Sequence, residues 1–430
     1  MNYDCLIIGG GISGLTCGIK CVSEGLRCGI ISSGMSALHF SSGSIDLYGY
    51  HTDRKIVYQP LDYIERLIIP NELHPYSKCG IDTIREAVSF FSDTVEKEGL
   101  ELYHNNDYNH FHVSTMGTVK PTYLSQRSVF NDKIKEGFKA RSKIAILNFS
   151  GFRDFYPELA AENLRKNSLF SLFDIITGEI ELPMFRRTEK NPHEFRSMDI
   201  ARIFDSEKYL PKIADQIVNI AEGALFVGLP AFIGINNFTR IYHRLSELTG
   251  MLIYEIPTLP PSILGMRIDN ALKSRFAALG GEFIAGDTVS GGEITNGSLD
   301  HIHTENHGST RLRSKFFVLS SGSFFSRGLV SEFNIIREPV FNLKVHAEQD
   351  RREWYSQSFF QQESHPFLEY GVETNNTLNP VDAEGGTVGN LFCTGAILPH
   401  YNPIREGCGG GVSISTGYYA AKKIIEGCRA

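Results

Sequence analysis

The sequence has no C-x-x-C pair, although it carries eight cysteines: Cys5, Cys17, Cys21, Cys28, Cys79, Cys393, Cys408 and Cys428. Zinc ribbons and cysteine-ligated iron–sulfur centres draw on close pairs, so this spacing supports neither, and no metal site is expected. Most of these cysteines lie in apolar runs, which predicts buried thiols in a reducing compartment. Long hydrophobic runs are also missing. The longest nearly apolar stretch, Ala224 to Ile235, falls short of the ~20 residues that span a bilayer. Any membrane association is therefore expected to be peripheral, through a partner. No leader-like segment stands before the first predicted strand, so none is expected. Basic charge is in deficit: 42 Lys and Arg against 49 Asp and Glu leave a net charge of −7. That balance argues against a nucleic-acid partner. Internal repeats and low-complexity tracts are lacking as well.

What is present is glycine, at two places. Gly9-Gly10-Gly11-Ile12-Ser13-Gly14 follows the apolar run Cys5-Leu6-Ile7-Ile8 and opens a predicted helix. This is Gly-x-Gly-x-x-Gly in its meaningful context, strand before and helix after. Gly9 allows the tight turn, Gly11 lets a phosphate approach the backbone, and Gly14 lets helix and strand pack closely. The first-turn N–H groups and the positive end of the helix dipole then face an anion. The chain closes on a second glycine-rich helix start, Gly407-Cys408-Gly409-Gly410-Gly411-Val412.

Between these ends, 430 residues suggest two or three domains. Strand Tyr3–Ile8, a helix over 13–24 and strand Arg27–Ser32 form a βαβ unit with parallel strands. Ile84, Val88, Phe91 and Val95 share one helix face behind the possible caps Asp82 and Thr83; this face suits the core, or a partner. Strands over 143–148, 173–182 and 224–229, with helices around 156–166, 207–222 and 237–249, predict a second α/β unit inserted into the first. Pro257 to Pro261 leads back, through a helix over 262–279 ended by Gly280-Gly281, to a hairpin at Asn296-Gly297. The apolar strand Phe316–Leu319 ends at Ser320-Ser321-Gly322-Ser323. The expected fold class is α/β: a Rossmann-like FAD/NAD(P)-binding domain of 1–50, 255–335 and 385–430, interrupted by a large α/β cap of 51–254 with 336–384.

This order resembles the flavoprotein oxidoreductases with a split dinucleotide domain. Ser320-Ser321-Gly322 resembles their Ala-Thr-Gly-like turn, and Leu391 to Gly395 with Gly409 to Val412 resembles the strand and helix start that meet the flavin. A closer likeness is carried by Ser36-Ala37-Leu38-His39-Phe40-Ser41-Ser42-Gly43-Ser44-Ile45-Asp46-Leu47, Pro257 to Gly265, Gly322 to Ser326 with Gly328, and Gly407 to Gly411. These segments are similar to the B-subunit family of bacterial anaerobic glycerol-3-phosphate dehydrogenases. The resemblance implies oxidation of glycerol 3-phosphate to dihydroxyacetone phosphate, with electrons passing to membrane quinone. It implies a catalytic A subunit and an iron–sulfur C subunit as partners, a location on the cytoplasmic side of the inner membrane, and FMN as cofactor.

Residue chemistry bears on the flavin. A dinucleotide fold usually holds the adenosine ribose with a carboxylate at the end of the second strand, where this chain has Ser32-Ser33. The position after Gly395 is Ala396, where many flavoproteins have an acid. Both losses weaken the adenosine side and favour FMN, with FAD as the alternative. The candidate cofactor set is Gly9, Gly11, Gly14, Ser32, Ser33, Ser41, Ser42, Gly43, Val289, Ser321, Gly322, Gly395, Gly409, Gly410 and Gly411. His39 is a candidate proton acceptor and Arg405 a candidate anion partner, with Arg337 and Lys120 similar to it. Each of these four also fits an ordinary structural or surface role. Cys408 is expected to be inert, and Arg186-Arg187, without a phosphate-binding context, to lie at the surface. Two readings of the redox role stay open, substrate oxidation here or relay of electrons released by the A subunit, with relay favoured because no base-and-phosphate cluster is evident. A non-redox scaffold is the rival from a different class.

Overall fold

The run Cys5-Leu6-Ile7-Ile8 is apolar throughout because the strand that holds it is buried on both faces. In the computed structural model, which describes residues 2–140, 142–182, 195–308, 310–361 and 363–430, this strand is β1 (Asn2–Ile8). It leads through α1 (Ile12–Ser23) to the parallel β2 (Cys28–Ser32), with Cys5 opposite Cys28 and Ile8 opposite Ile31. On its other side β1 pairs in parallel with Leu312–Leu319, Ile8 facing Leu319. Glu282–Ala285 extends the sheet beyond β2, and Leu391–Cys393 extends it beyond Leu312–Leu319, both in parallel. The hairpin Val289–Thr295 and Ser298–Thr304 joins antiparallel to complete seven strands. Asn296 and Gly297 both have left-handed backbones (φ 52° and 71°), as a two-residue turn between twisted strands requires.

The chain divides into two compact units. The first holds this sheet and comprises residues 1–37, 45–98 and 269–430. The C-terminal helix Gly409–Arg429 crosses α1 closely, since a Cβ at Gly417 would lie 2.4 Å from the Ser13 carbonyl oxygen. The helix Ile81–Glu96 packs on it through Phe90 and Tyr418 (rings 5.3 Å apart) and the Lys422–Glu86 ion pair (2.8 Å). Its apolar stripe Ile84, Val88, Phe91 and Val95 is buried, so that face belongs to the core. The N-cap is Gly80, with no side-chain cap; Asp82 falls inside the first turn, where its charge suits the dipole. Residues 51–98 and 336–384, expected in the inserted domain, group with this first unit. The physical reason is packing: the first stretch supplies the helix on Gly409–Arg429, and Gly371 in the second abuts the Ile397 carbonyl so closely that a Cβ would come within 2.4 Å.

The second unit comprises residues 38–44 and 99–268. Its four-stranded parallel sheet runs Leu252–Ile256, Phe226–Pro230, Ile144–Phe149, Ile175–Ile180. Helices Pro157–Lys166, Leu210–Ile220 and Phe238–Thr249 match the helical stretches read from sequence. At its centre Arg267 is paired with Glu255, both side chains fully buried, through Nη1–Oε2 at 2.6 Å and Nη2–Oε1 at 3.0 Å. The Gly234 carbonyl and the Gln126 amide oxygen accept the remaining guanidinium protons, which satisfies the charge by hydrogen bonds. The Arg186-Arg187 pair lies outside the described residues. Among the described residues no helix is long and apolar enough to cross a membrane. All eight cysteines are free and only Cys428 is even partly exposed.

Candidate functional site

Each glycine of the first turn meets a different physical demand. Gly9 has φ +115°, and a Cβ there would sit 2.2 Å from the Ser320 carbonyl oxygen, so the turn closes only without a side chain. A Cβ at Gly14 would lie 2.1 Å from the Gly9 carbonyl oxygen, which fixes how closely α1 approaches the turn. Gly11 is the opposite case. It is the N-cap of α1, in extended conformation, with no side-chain cap and nothing within 4 Å of where its Cβ would be. Open space at an uncapped helix start is the geometry that receives a phosphate on backbone N–H groups.

The loops around that space come from the C-terminal ends of the parallel strands, where open α/β sheets bind ligands. Gly322 and Gly395 have φ of 79° and 76°. A Cβ at Gly395 would meet the Ser13 side chain at 2.9 Å, which seats that loop against the start of α1. Ser320 and Thr394 share a hydroxyl hydrogen bond of 2.5 Å, joining the two strand ends. Two buried hydroxyls here, Ser13 Oγ in the first turn of α1 and Ser321 Oγ in the loop after Leu312–Leu319, have no hydrogen-bond partner among the described residues. Buried polar groups are nearly always paired, so two orphans beside an uncapped helix start fit a polar ligand. The residues present therefore suit a phosphate ester.

At the second glycine cluster the structure separates two roles. Gly411 donates its N–H to the Asp46 carbonyl (2.9 Å), and a Cβ there would strike the Tyr76 hydroxyl at 2.2 Å, so Gly411 serves packing. Cys408 N–H is directed to the Pro403 carbonyl. Of the first-turn donors this leaves Gly409 and Gly410, both half-buried, for a ligand. The Cys408 thiol is buried and pushed well above its ordinary range by that burial and by the Glu406 carboxylate, which accepts its hydrogen bond (3.2 Å).

The adenosine side is more confined. Ser32 is nearly buried and donates its hydroxyl to the Gly34 carbonyl (3.1 Å), while its own carbonyl accepts from Gly286 N–H (2.7 Å); Ser33 is exposed. Val289 begins the hairpin strand, buried and opposite Thr304. The nearby Asp287 carboxylate accepts from Thr288 N–H, Asn306 N–H and His307 Nδ1, and is spent on its own turn.

His39, Ser41, Ser42 and Gly43 fall in the second unit, whereas the Gly9–Gly14 turn falls in the first. Ser41 Oγ donates to the Leu38 carbonyl (2.8 Å) and accepts from Gly43 N–H (3.2 Å), and Gly43 is left-handed (φ 69°) against Leu264. The turn reading thus accounts for Ser41 and Gly43. His39, half-buried, accepts through its carbonyl from Ser262 N–H (2.8 Å). In the same unit Ser44 Oγ lies 3.2 Å from Nδ1 of buried His112, whose partner across the strand pair is Lys120. Arg337 is a surface partner of Glu332 (2.6 Å). Arg405 differs: its buried Nε has no partner among the described residues, while Nη2 reaches the Thr52 carbonyl at 3.5 Å. Ser13 escaped sequence reading because its hydroxyl matters only through burial, which spacing does not show.

The chain matches the family model for the FAD binding domain over residues 4–412. It is 38% identical to the B subunit of the anaerobic glycerol-3-phosphate dehydrogenase of Aliivibrio fischeri (strain ATCC 700601 / ES114), over 99% of this chain and 96% of that protein. The chain belongs to this family. The B subunit of Vibrio cholerae (strain ATCC 39315 / El Tor Inaba N16961) is 37% identical, over 99% of this chain and 97% of that one. That of Vibrio vulnificus (strain CMCP6) is 36% identical with the same coverage. The fold of the family is the FAD-binding flavoprotein fold, and the cradle built from Gly9, Gly11, Gly14 and Ser13 lies within the matched residues. A family member is a flavoprotein subunit of an oxidoreductase.

Proposed function

We propose that this chain binds FAD and relays electrons from glycerol 3-phosphate oxidation within an anaerobic dehydrogenase complex. The observation that carries the flavin reading is the uncapped, open Gly11 helix start flanked by the orphaned Ser13 and Ser321 hydroxyls. A bound flavin supplies reversible acceptance of a hydride or of single electrons. The chain's own part is to hold it. Gly11 and the first-turn N–H groups of α1 would bind the phosphates, and Ser13 and Ser321 would donate to phosphate or ribityl oxygens. The Gly409 and Gly410 N–H groups would stabilise negative charge on the ring system. FMN, favoured by the missing ribose carboxylate, gives way to FAD in this reading because the matched family is that of the FAD binding domain. Backbone contacts at Ser33 and Val289 would hold the adenosine without an acid.

Relay rather than substrate oxidation is favoured because the sequence offers no evident base-and-phosphate cluster. The partners would be a catalytic A subunit and an iron–sulfur C subunit that contacts the membrane quinone pool on the cytoplasmic side. The isolated, flavin-loaded protein mixed anaerobically with glycerol 3-phosphate is expected to keep its visible flavin absorption. Bleaching within the time of turnover would assign the oxidation to this chain instead.

A further inference from the structure

A second group of side chains in the first unit has no part in the cradle. His346 ends the two-residue strand Val345–His346, which pairs antiparallel with Gly371–Val372, Val345 opposite Val372 and His346 opposite Gly371. The ladder runs on: Glu373 N–H donates to the Lys344 carbonyl at 2.9 Å, which puts Glu373 opposite Lys344. His346 and Glu373 therefore stand on one face as a diagonal pair. His400 comes from the loop between Leu391–Cys393 and the C-terminal helix. Its backbone is left-handed (φ 65°), a conformation that costs a residue other than glycine about 1 kcal/mol or more and concentrates at functional sites. Its N–H is held by the Glu369 carbonyl at 3.0 Å.

The three side chains converge on one point. His346 Nδ1 lies 3.4 Å from Glu373 Oε1, and His400 Nε2 lies 3.5 Å from Glu373 Oε2. The two imidazole rings are 4.2 Å apart at 46°. All three ligand atoms fall within 4.8 Å of one another. Hydrogen bonds from nitrogen to oxygen centre on about 2.9–3.0 Å, so both contacts are long for that purpose. Ligand atoms bound about 2.1 Å from a shared metal at roughly tetrahedral angles stand about 3.4 Å apart, and each imidazole nitrogen has that spacing from one oxygen of the Glu373 carboxylate, His346 from Oε1 and His400 from Oε2. Lys78, buried and within electrostatic reach of Glu373, makes its hydrogen bonds to the Thr374 carbonyl (3.0 Å) and hydroxyl (2.8 Å) rather than to the carboxylate. Side-chain exposures of 42%, 25% and 16% for His346, Glu373 and His400 leave one side of the group open to solvent.

We propose that His346, Glu373 and His400 form a binding site for a divalent transition metal, Zn(II) being the ion that two imidazoles and one carboxylate suit. The three protein ligands leave at least one coordination position free for water or an oxygen-anion ligand.

The test is equilibrium dialysis of untagged, flavin-loaded, chelator-stripped protein against Zn(II), with metal measured by elemental analysis. Wild type is expected to take up Zn(II) that His400→Gly, His346→Ala and Glu373→Gln each lose, with affinity at least ~10-fold weaker. His400→Gly is the informative variant, since glycine suits φ 65° and the fold is expected to keep its thermal midpoint and flavin content. Glu293→Gln, in the separate Glu293–Asp300–His301 group, is expected to leave binding unchanged. Uptake below ~0.1 equivalent in wild type, or uptake retained in both histidine variants, would overturn the proposal; retention in both would place the metal elsewhere, among the buried thiols Cys5, Cys21 and Cys28 for example.

Discussion

Single residues in the cradle carry separable roles, and substitution should separate them. Gly11→Ala places a methyl in open space at an allowed backbone, so stability should stay within about 1 kcal/mol of wild type while flavin occupancy falls several-fold. Gly14→Ala drives a Cβ to 2.1 Å from the Gly9 carbonyl oxygen and should cost about 3 kcal/mol, read as a lowered denaturation midpoint. Equal destabilisation by both would contradict a ligand role for Gly11. Asp287 gives a pH signature. Burial opposes its ionisation, but hydrogen bonds from Asn306 N–H, Thr304, His307 and Thr288 N–H prevail and hold its carboxyl below the usual range. Because the folded-state value is depressed, this stabilisation is full above the unfolded value near ~3.9 and is lost as pH falls through the folded value. Asp287→Asn should cost about 1–3 kcal/mol at neutral pH and flatten the acid limb of a stability–pH curve. At this scale the glycine roles were legible in spacing. The orphaned hydroxyls were not, nor was the diversion of Ser32 to Gly34, because both depend on where a hydroxyl points.

Among elements, the buried Arg267–Glu255 pair links the start of the helix Ile263–Ala278 to the strand Leu252–Ile256. Removing one partner strands the other charge in a dry interior. Glu255→Gln or Arg267→Met should therefore cost about 3–5 kcal/mol, measured by denaturant unfolding. A cost below about 1 kcal/mol would show that water reaches the pair. The β1–α1–β2 unit, the Asn296-Gly297 hairpin and the C-terminal glycine helix were readable from period, punctuation and turn chemistry. The caps of Ile81–Glu96 were misplaced because Gly80, not Asp82 or Thr83, turns the chain into the helix. Residues 38–44 could not be assigned to the second unit from sequence, since long-range contacts such as the approach of Leu38 and Gly43 to Leu264 and Gly265 put them there.

For the whole molecule, the two glycine-rich ends of the chain meet in one sheet-and-helix unit, and 51–98 and 336–384 complete it rather than form a cap. Long-range packing decides such membership, and the hydrophobic pattern of a segment does not disclose its partner. The central claim is that this unit holds FAD. The most direct measurement is the absorption spectrum of the purified protein, followed by denaturation and chromatography of the released chromophore. The account predicts a yellow protein releasing about one FAD per chain. Release of FMN would contradict the assignment of FAD and restore weight to the missing ribose carboxylate. A protein that stays colourless after incubation with either flavin would contradict the redox role itself.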